Sequence, residues 1–465
     1  MKYPTPGRFK EAAELHAALQ AVDPEVHVDL QLEGQAGPLG RPFERAGLRL
    51  ANRFAIHPME GWDGTADGSP SELTLRRWKR FGRSGAGLLW GGEAFAVDAN
   101  ARANPRQLAL VDAARCARDL DQLRAVLQAG RQEVGLDPTS MILGLQLTDS
   151  GRYSRPQGRP TPRIAQHHPI LDERLGVDPN GPVLSDAELE GLIPKYVHLA
   201  RLAQQAGFHF VDIKACHGYL LHELLAARTR SGIYGGDLLG RTRLLTEIVD
   251  AIHRDCPGLV TAVRLSAHDA GVYGPDPATN EGVRLHGPEP FGHDLAETGQ
   301  VLQLLQQHGV DWINATLGSP YSCPHLQRPA SYPPTDGYAP PIDPLASVAT
   351  HIRVVREIRR IAPQVALVGS GYSYLMEYLP HLAQAELRAG HVDVIGIGRM
   401  VLSYPEFPSD VLAGRELDRR RICRTFSDCT NGPRQGLVSG CYPLDAHYRS
   451  QPQAQDLLRS RPRWK

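Results

Sequence analysis

The stretch VDIKACHGYLLHELL, from Val211 to Leu225, places Lys214, Cys216, His217 and Tyr219 within six positions at the end of an apolar run. Each of these residue types has chemistry to offer. A buried amine can pair with an anion or condense with a carbonyl. An imidazole can bond a substrate oxygen, and a phenol is neutral near pH 7 and can donate a proton and be recharged from water.

Other apolar runs end in polar groups as well. Gln146 lies in ILGLQL and Arg264 in VTAVRL. An amide and a cation at such places suit a ring with a hydrogen-bonding edge and a negative charge that develops on reduction, as in a flavin. Two glycine-rich turns, GSGY (369–372) and GIGRM (396–400), bring Gly369, Gly371 and Gly398 together with Arg399. Bare glycine backbone lets N–H groups approach a phosphate, and arginine supplies a fork of donors. GSGYSY lacks the third glycine of a dinucleotide fingerprint.

These residues need strands and helices to hold them. Short apolar runs recur at 52–58, 87–92, 142–147, 208–213, 259–265, 310–316, 365–370 and 392–398, with amphipathic stretches of helical period between them. Alternation of that kind means a parallel sheet, and eight units predict a (β/α)8 TIM barrel. Segments 149–185 and 317–347, rich in Pro, Gly, Arg and His, follow the third and sixth strands and are expected to wall the active-site face. VHVDLQL and GLRLAN are expected to pair as an N-terminal hairpin that plugs the barrel bottom. The chain divides into a barrel over residues 1–410 and a C-terminal extension over 411–465 that packs on it.

Composition removes several function classes. The 465 residues carry 51 basic and 51 acidic side chains, so nothing favours a nucleic acid or an anionic membrane as partner. No run of apolar residues is long enough to span a bilayer, and the N-terminus lacks a signal-peptide core, so a cytoplasmic location is expected. Seven scattered cysteines fit a reducing compartment. A small-molecule substrate is the expected partner, and a homo-oligomer is left open.

The strings RFAIHPM, GLLWGGEA, GLQLTDSGR, GFHFVDIKACHGYLLHELL, AVRLS, LVGSGY and VIGIGRMVLSYPE occur in an order that resembles the old yellow enzyme family of ene reductases. The resemblance covers about residues 48 to 410 and is nearest to the 2,4-dienoyl-CoA reductase-like branch. It implies FMN as cofactor and NAD(P)H as electron donor. It sets Pro58, Met59 and Gly92 against the ring, Gln146 on its pyrimidine edge, Arg264 by N1, and Gly371, Gly398 and Arg399 on the phosphate. It makes Tyr219 the proton donor in reduction of an activated alkene, with His217 on the substrate oxygen.

The chain also departs from that family. Lys214 stands where a histidine is usual, and Glu60 follows HPM where Thr or Cys is common. An unpaired carboxylate beside a reduced flavin is costly, so Glu60 and Lys214 are expected to approach each other. The branch's iron–sulfur motif is broken: Ile422 and Thr425 occupy two of its four places, leaving Cys429 and Cys441 in register and Cys423 one residue off. Four thiolates are the usual requirement, so no [4Fe–4S] cluster is expected. Zinc on the three cysteines with His447 is a weaker alternative. No FAD or NAD domain is expected beyond the barrel and its extension, so electrons are expected from NAD(P)H at the same face or from a separate reductase. Two other functions remain open: oxidation of an amine on the same cofactor site, and a Schiff-base aldolase working through Lys214.

Overall fold

The eight apolar runs are eight parallel strands: β1 (Phe54–Ile56), β2 (Leu88–Leu89), β3 (Ile142–Thr148), β4 (Phe210–Ala215), β5 (Val260–His268), β6 (Trp312–Leu317), β7 (Ala366–Gly369) and β8 (Val394–Ile397). The computed structural model describes residues 3–288 and 291–459. β8 pairs with β1, β1 with β2 and β2 with β3, and the ladder continues through β4, β5, β6 and β7 back to β8, so the sheet closes. Every residue of β4 and of β6 is buried, as expected where helices cover the outer face and side chains fill the inner one.

A helix follows each strand: α1 (Glu72–Gly82), α2 (Ala113–Glu133), α3 (Ile193–Gln205), α4 (Leu238–Asp255), α5 (Ala296–Gln307), α6 (Pro344–Ile361), α7 (Leu379–Arg388) and α8 (Phe407–Leu412). Several start on the side chain that their sequence supplies. Ser71 and Thr74 form a capping box on α1, and Asp112, Asp237 and Asp343 accept from first-turn amides of α2, α4 and α6.

Three departures from the sequence expectations have physical causes. The hairpin at the barrel bottom pairs Phe43–Arg45 with Leu48–Leu50, and VHVDLQL is not one of its strands. Val26 and Val28 are buried, yet their segment bonds to a helix instead of a sheet: the Asp29 amide donates to the His381 carbonyl, and Gln384 donates to Gln31. Leu48 and Leu50 pack beneath Trp90, Phe210 and Trp312, so the plug itself is present. Secondly, the strand-two unit is split. β2 ends before Gly91–Gly92, and Ala94–Ala96 then pairs with β3 farther along. Thirdly, a long loop also follows β5, carrying a small hairpin of Tyr273–Pro275 with Gly282–Arg284.

Candidate active site

One cavity of about 770 Å³ opens at the C-terminal ends of the strands. Eleven of the thirteen residues singled out from sequence line it: Pro58, Met59, Glu60, Gln146, Lys214, His217, Tyr219, Arg264, Gly371, Gly398 and Arg399. Gly92 and Gly369 stand behind that lining. Gly92 takes a left-handed φ of 51°, and a Cβ there would meet the Trp78 ring at 2.6 Å. A Cβ on Gly369 would meet the Tyr372 hydroxyl at 2.6 Å.

The floor is organised by a carboxylate that the sequence reading passed over. Asp212, fully buried in β4, accepts from Trp90 Nε1 at 2.7 Å, Gln146 Nε2 at 2.6 Å and the Arg264 amide at 2.6 Å. Burial pushes this carboxyl up to about 6, against the pull of its donors. An ionised carboxylate only accepts, so Gln146 must give it the NH2 and turn its carbonyl the other way. A carboxylate in the strand FVDIKA, two positions before Lys214, was the signal available in the sequence.

Glu60 sits on a loop held from behind. Arg77 pairs with Asp63 at 2.8 Å and with Glu93, and it donates to the Met59 carbonyl at 3.4 Å. The Gly61 amide donates to Glu93 at 2.6 Å. With its backbone so fixed, Glu60 accepts the Tyr219 hydroxyl at 2.6 Å and lies 3.9 Å from Lys214 Nζ. Lys214 Nζ is also 3.6 Å from the centre of the Tyr219 ring. Burial lowers the Lys214 ammonium, and Glu60 opposes that shift. Burial raises the Tyr219 phenol well above its ordinary value, and Glu60 adds to the effect.

His217 adopts φ of 65° and Gly218 φ of 78°, a tight reversal just after β4. The turn is pinned by three bonds: the His217 amide to Ser266 Oγ at 3.1 Å, Ser319 Oγ to the His217 carbonyl at 2.8 Å, and the Gly218 amide to His222 Nδ1 at 2.8 Å. The His217 ring lies 3.2 Å from the Gln327 amide nitrogen, and burial holds it neutral, well below 6.5. Tyr321, from the loop after β6, stacks on Tyr153 at 3.7 Å and reaches the Tyr219 hydroxyl at 3.5 Å.

The donors left over fit a flavin mononucleotide. Arg264 Nε and Arg399 Nη1 are buried without a hydrogen-bond partner among the described residues. A Cβ on Gly398 would meet nothing nearer than Met59 Sδ at 3.8 Å, so open space adjoins that backbone. Arg399 is held by donating to the Pro329 carbonyl at 2.9 Å, which leaves its other nitrogen to an anion. Arg264, Gln146, Gly371, Gly398 and Arg399 are the side chains and backbone that would hold such a group.

The C-terminal segment is also part of the wall. Cys429, Arg434, Ser439 and Cys441 line the cavity, and Ser439 Oγ accepts the Trp62 amide at 2.8 Å. Arg76 grips Asp445 with two bonds of 2.9 Å. Cys423, Cys429 and Cys441 are free thiols. Among the described residues no three His, Cys, Asp or Glu side chains are grouped to hold a metal.

Residues 38–281 match the model of a family described as NADH:flavin oxidoreductase / NADH oxidase. The chain is 29% identical over 266 residues to an NADH-dependent flavin oxidoreductase of Aspergillus parasiticus, covering 53% of this chain and 55% of that one. It is 27% identical over 377 residues to an NADPH dehydrogenase of a Geobacillus species, covering 79% and 91%. An NADH oxidase of Thermoanaerobacter brockii is 24% identical over 392 residues, covering 83% and 52%. The chain thus spans between about half and two thirds of the length of the first curated relatives it matches. Among solved structures, a 2-naphthoyl-CoA reductase superposes with a TM-score of 0.67 at 15% identity, over 90% of this chain and 58% of that one. Morphinone reductase superposes with a TM-score of 0.56 at 20% identity, over 82% and 91%. At these identities the structural likeness carries the fold alone.

Proposed function

We propose, from the premise that this chain belongs to the NADH:flavin oxidoreductase / NADH oxidase family, that it reduces activated alkenes of the enone or enoyl type with electrons from NAD(P)H. The flavin, when bound, supplies the hydride that adds to one alkene carbon. The chain's own residues do the rest. His217, neutral and pinned by its turn, bonds the substrate's activating oxygen and stabilises the charge that gathers there. Tyr219 gives its proton to the other alkene carbon, so one hydride and one proton complete the reduction. Lys214, over the ring, favours the phenolate left behind. Glu60 orients the phenol and sits where a proton can return to it.

The observation that carries this proposal is that Gln146, Arg264, Gly398 and Arg399 line the same cavity as His217, Lys214 and Tyr219. The test is direct. Purified protein should carry yellow flavin that bleaches with NADH or NADPH and recovers its colour when an enone such as 2-cyclohexenone is added. Recovery only with oxygen would reject alkene reduction.

One contact favours a second function, oxidation of an amine on the same site. The Tyr219 hydroxyl points at a carboxylate at 2.6 Å, the arrangement in which a phenol can pass a proton away from substrate. Bleaching of the flavin by a secondary or tertiary amine without NAD(P)H would select it. The aldolase alternative through Lys214 gains nothing from the family match.

A further inference from the structure

One loop holds His217 at both its backbone and its ring. In the segment after β6, Ser319 Oγ donates to the His217 carbonyl at 2.8 Å, and the side-chain nitrogen of Gln327 lies 3.2 Å from His217 Nε2. Gln327 ends the short helix Pro324–Gln327, and its backbone is fixed from two sides. Its amide donates to the Cys323 carbonyl at 3.1 Å, and the Leu326 carbonyl before it accepts from His351 Nε2 at 2.9 Å. Thr316 Oγ1, from β6, is the other neighbour of the same ring nitrogen, at 3.4 Å. His217, Thr316 and Gln327 all line the cavity.

These contacts decide where the single ring proton sits. A buried, neutral imidazole has one N–H and one bare nitrogen. The NH2 of an amide can only donate, so the Nε2 that faces it is the bare nitrogen and the proton falls on Nδ1. Thr316 suits either form, because a hydroxyl can donate or accept. His217 Nδ1 has no partner among the described residues and, unlike Arg264 Nε and Arg399 Nη1, it is not sealed from the cavity. Lys214 is drawn to Glu60 and to the Tyr219 ring, which leaves the substrate oxygen to His217. The opposite tautomer would turn a lone pair toward that oxygen and oppose the charge gathering there.

We infer that Gln327 is a positioning residue that fixes His217 as its Nδ1–H tautomer, so that Nδ1 gives the hydrogen bond to the oxygen of the alkene substrate. This rests on the reaction proposed above, and it gives the loop after β6 a part in activating the substrate as well as enclosing it.

Nitrogen NMR of the oxidised, flavin-loaded protein grown on isotope-labelled histidine reads the tautomer, through the couplings between the ring's carbon-bound hydrogens and each nitrogen. His217→Gln identifies the signal by its loss. The wild type should show hydrogen on Nδ1 and a bare Nε2. Gln327→Met keeps the length of the side chain and removes the donor, so Thr316 can accept from Nε2 and the other tautomer should appear. That variant should retain its FMN, bind 2-cyclohexenone about tenfold more weakly as read by flavin absorbance, and be reoxidised by it about tenfold or more slowly. Hydrogen on Nε2 in the wild type would overturn the inference, and that measurement needs no variant of Gln327. An unmoved tautomer in Gln327→Met would overturn it too, whatever the rate. If the tautomer moves as expected in a protein that no enone reoxidises, alkene reduction fails and the hold of Gln327 on His217 stands.

Discussion

The hydroxyl of Tyr219 donates to Oε2 of Glu60 at 2.6 Å, joining a residue just after β4 to one just after β1 across 159 positions of sequence. Lys214 completes the group from inside the barrel, 3.9 Å from Glu60 and 3.6 Å from the centre of the phenol ring. A carboxylate, a phenol and an ammonium in mutual contact behave as one unit, because each sets the charge state that the others prefer.

Tyr219→Phe separates the two halves of the proposed reaction. Burial and Glu60 keep the phenol protonated beyond pH 10, so it can serve only as an acid at neutral pH. Reduction of bound flavin by NAD(P)H should proceed as in wild type, while reoxidation by an enone should slow by roughly 10²- to 10⁴-fold. Stopped-flow traces of the two half-reactions check this, and unchanged reoxidation would remove Tyr219 from the chemistry.

Glu60→Gln and Lys214→Met should each lower kcat by about tenfold or more while leaving the flavin bound. Because either single change strands the other charge in a buried site, the double variant should be no worse than the poorer single. Strictly multiplicative losses would show that the two residues act independently. Loss of flavin from Lys214→Met would make that lysine a cofactor ligand.

Arg399→Ala should weaken FMN binding by about 10- to 100-fold, the cost of one charged hydrogen-bonding partner. Riboflavin, which lacks the phosphate, should bind the variant and the wild type alike. Fluorescence titration of the flavin-free protein distinguishes the two ligands. A parallel loss of riboflavin affinity would mean that Arg399 supports the fold of the site and does not read the phosphate.

Asp212→Asn keeps the shape but replaces one of the two acceptor oxygens by an NH2 donor. The asparagine cannot accept from Trp90, Gln146 and the Arg264 amide as the carboxylate does. An unmet buried donor costs about 1–3 kcal/mol. The variant should melt at a lower temperature, and its bound flavin should show a shifted absorption band and reduction potential. A spectrum identical to wild type would confine Asp212 to a packing role.

Acid should destabilise the fold in a defined window. Burial lowers His222, His325 and His351 to about 4, below the ordinary 6.5. The unfolded chain therefore takes up these protons first, so the stability they contribute is whole above about pH 6.5 and is lost as pH falls to about 4. Urea midpoints measured across that interval should decrease steadily. His222→Gln should flatten part of the slope, and a flat wild-type profile would contradict the burial assignment.

The period of apolar runs, their glycine ends and the polar residues at strand termini are properties of the chain itself. The barrel, its long loops after β3 and β6, and eleven cavity-lining residues were all legible there, because strand alternation and strand-end chemistry are local signals. The segment VHVDLQL misled for the same reason: its alternation is that of a strand, and only the neighbouring helix end decides where its backbone bonds go. The Trp78 ring fills the space that a side chain at Gly92 would need, a contact the string GLLWGGEA does not announce.

The approach of Glu60 to Lys214, expected from their residue types, is found at 3.9 Å, but no local signal carries the rest of the pairing. Glu60 reaches Tyr219 because Arg77, Asp63 and Glu93 fix its loop. Gln146 turns its carbonyl away because the carboxylate it meets, Asp212 from the neighbouring strand, can only accept. Arg434 and Cys441 line the same cavity as Glu60 only because the C-terminal segment folds across the barrel mouth. The sequence by itself determined the barrel and the types of group at its mouth. Their pairing is a property of distance, and only the closed structure sets those distances.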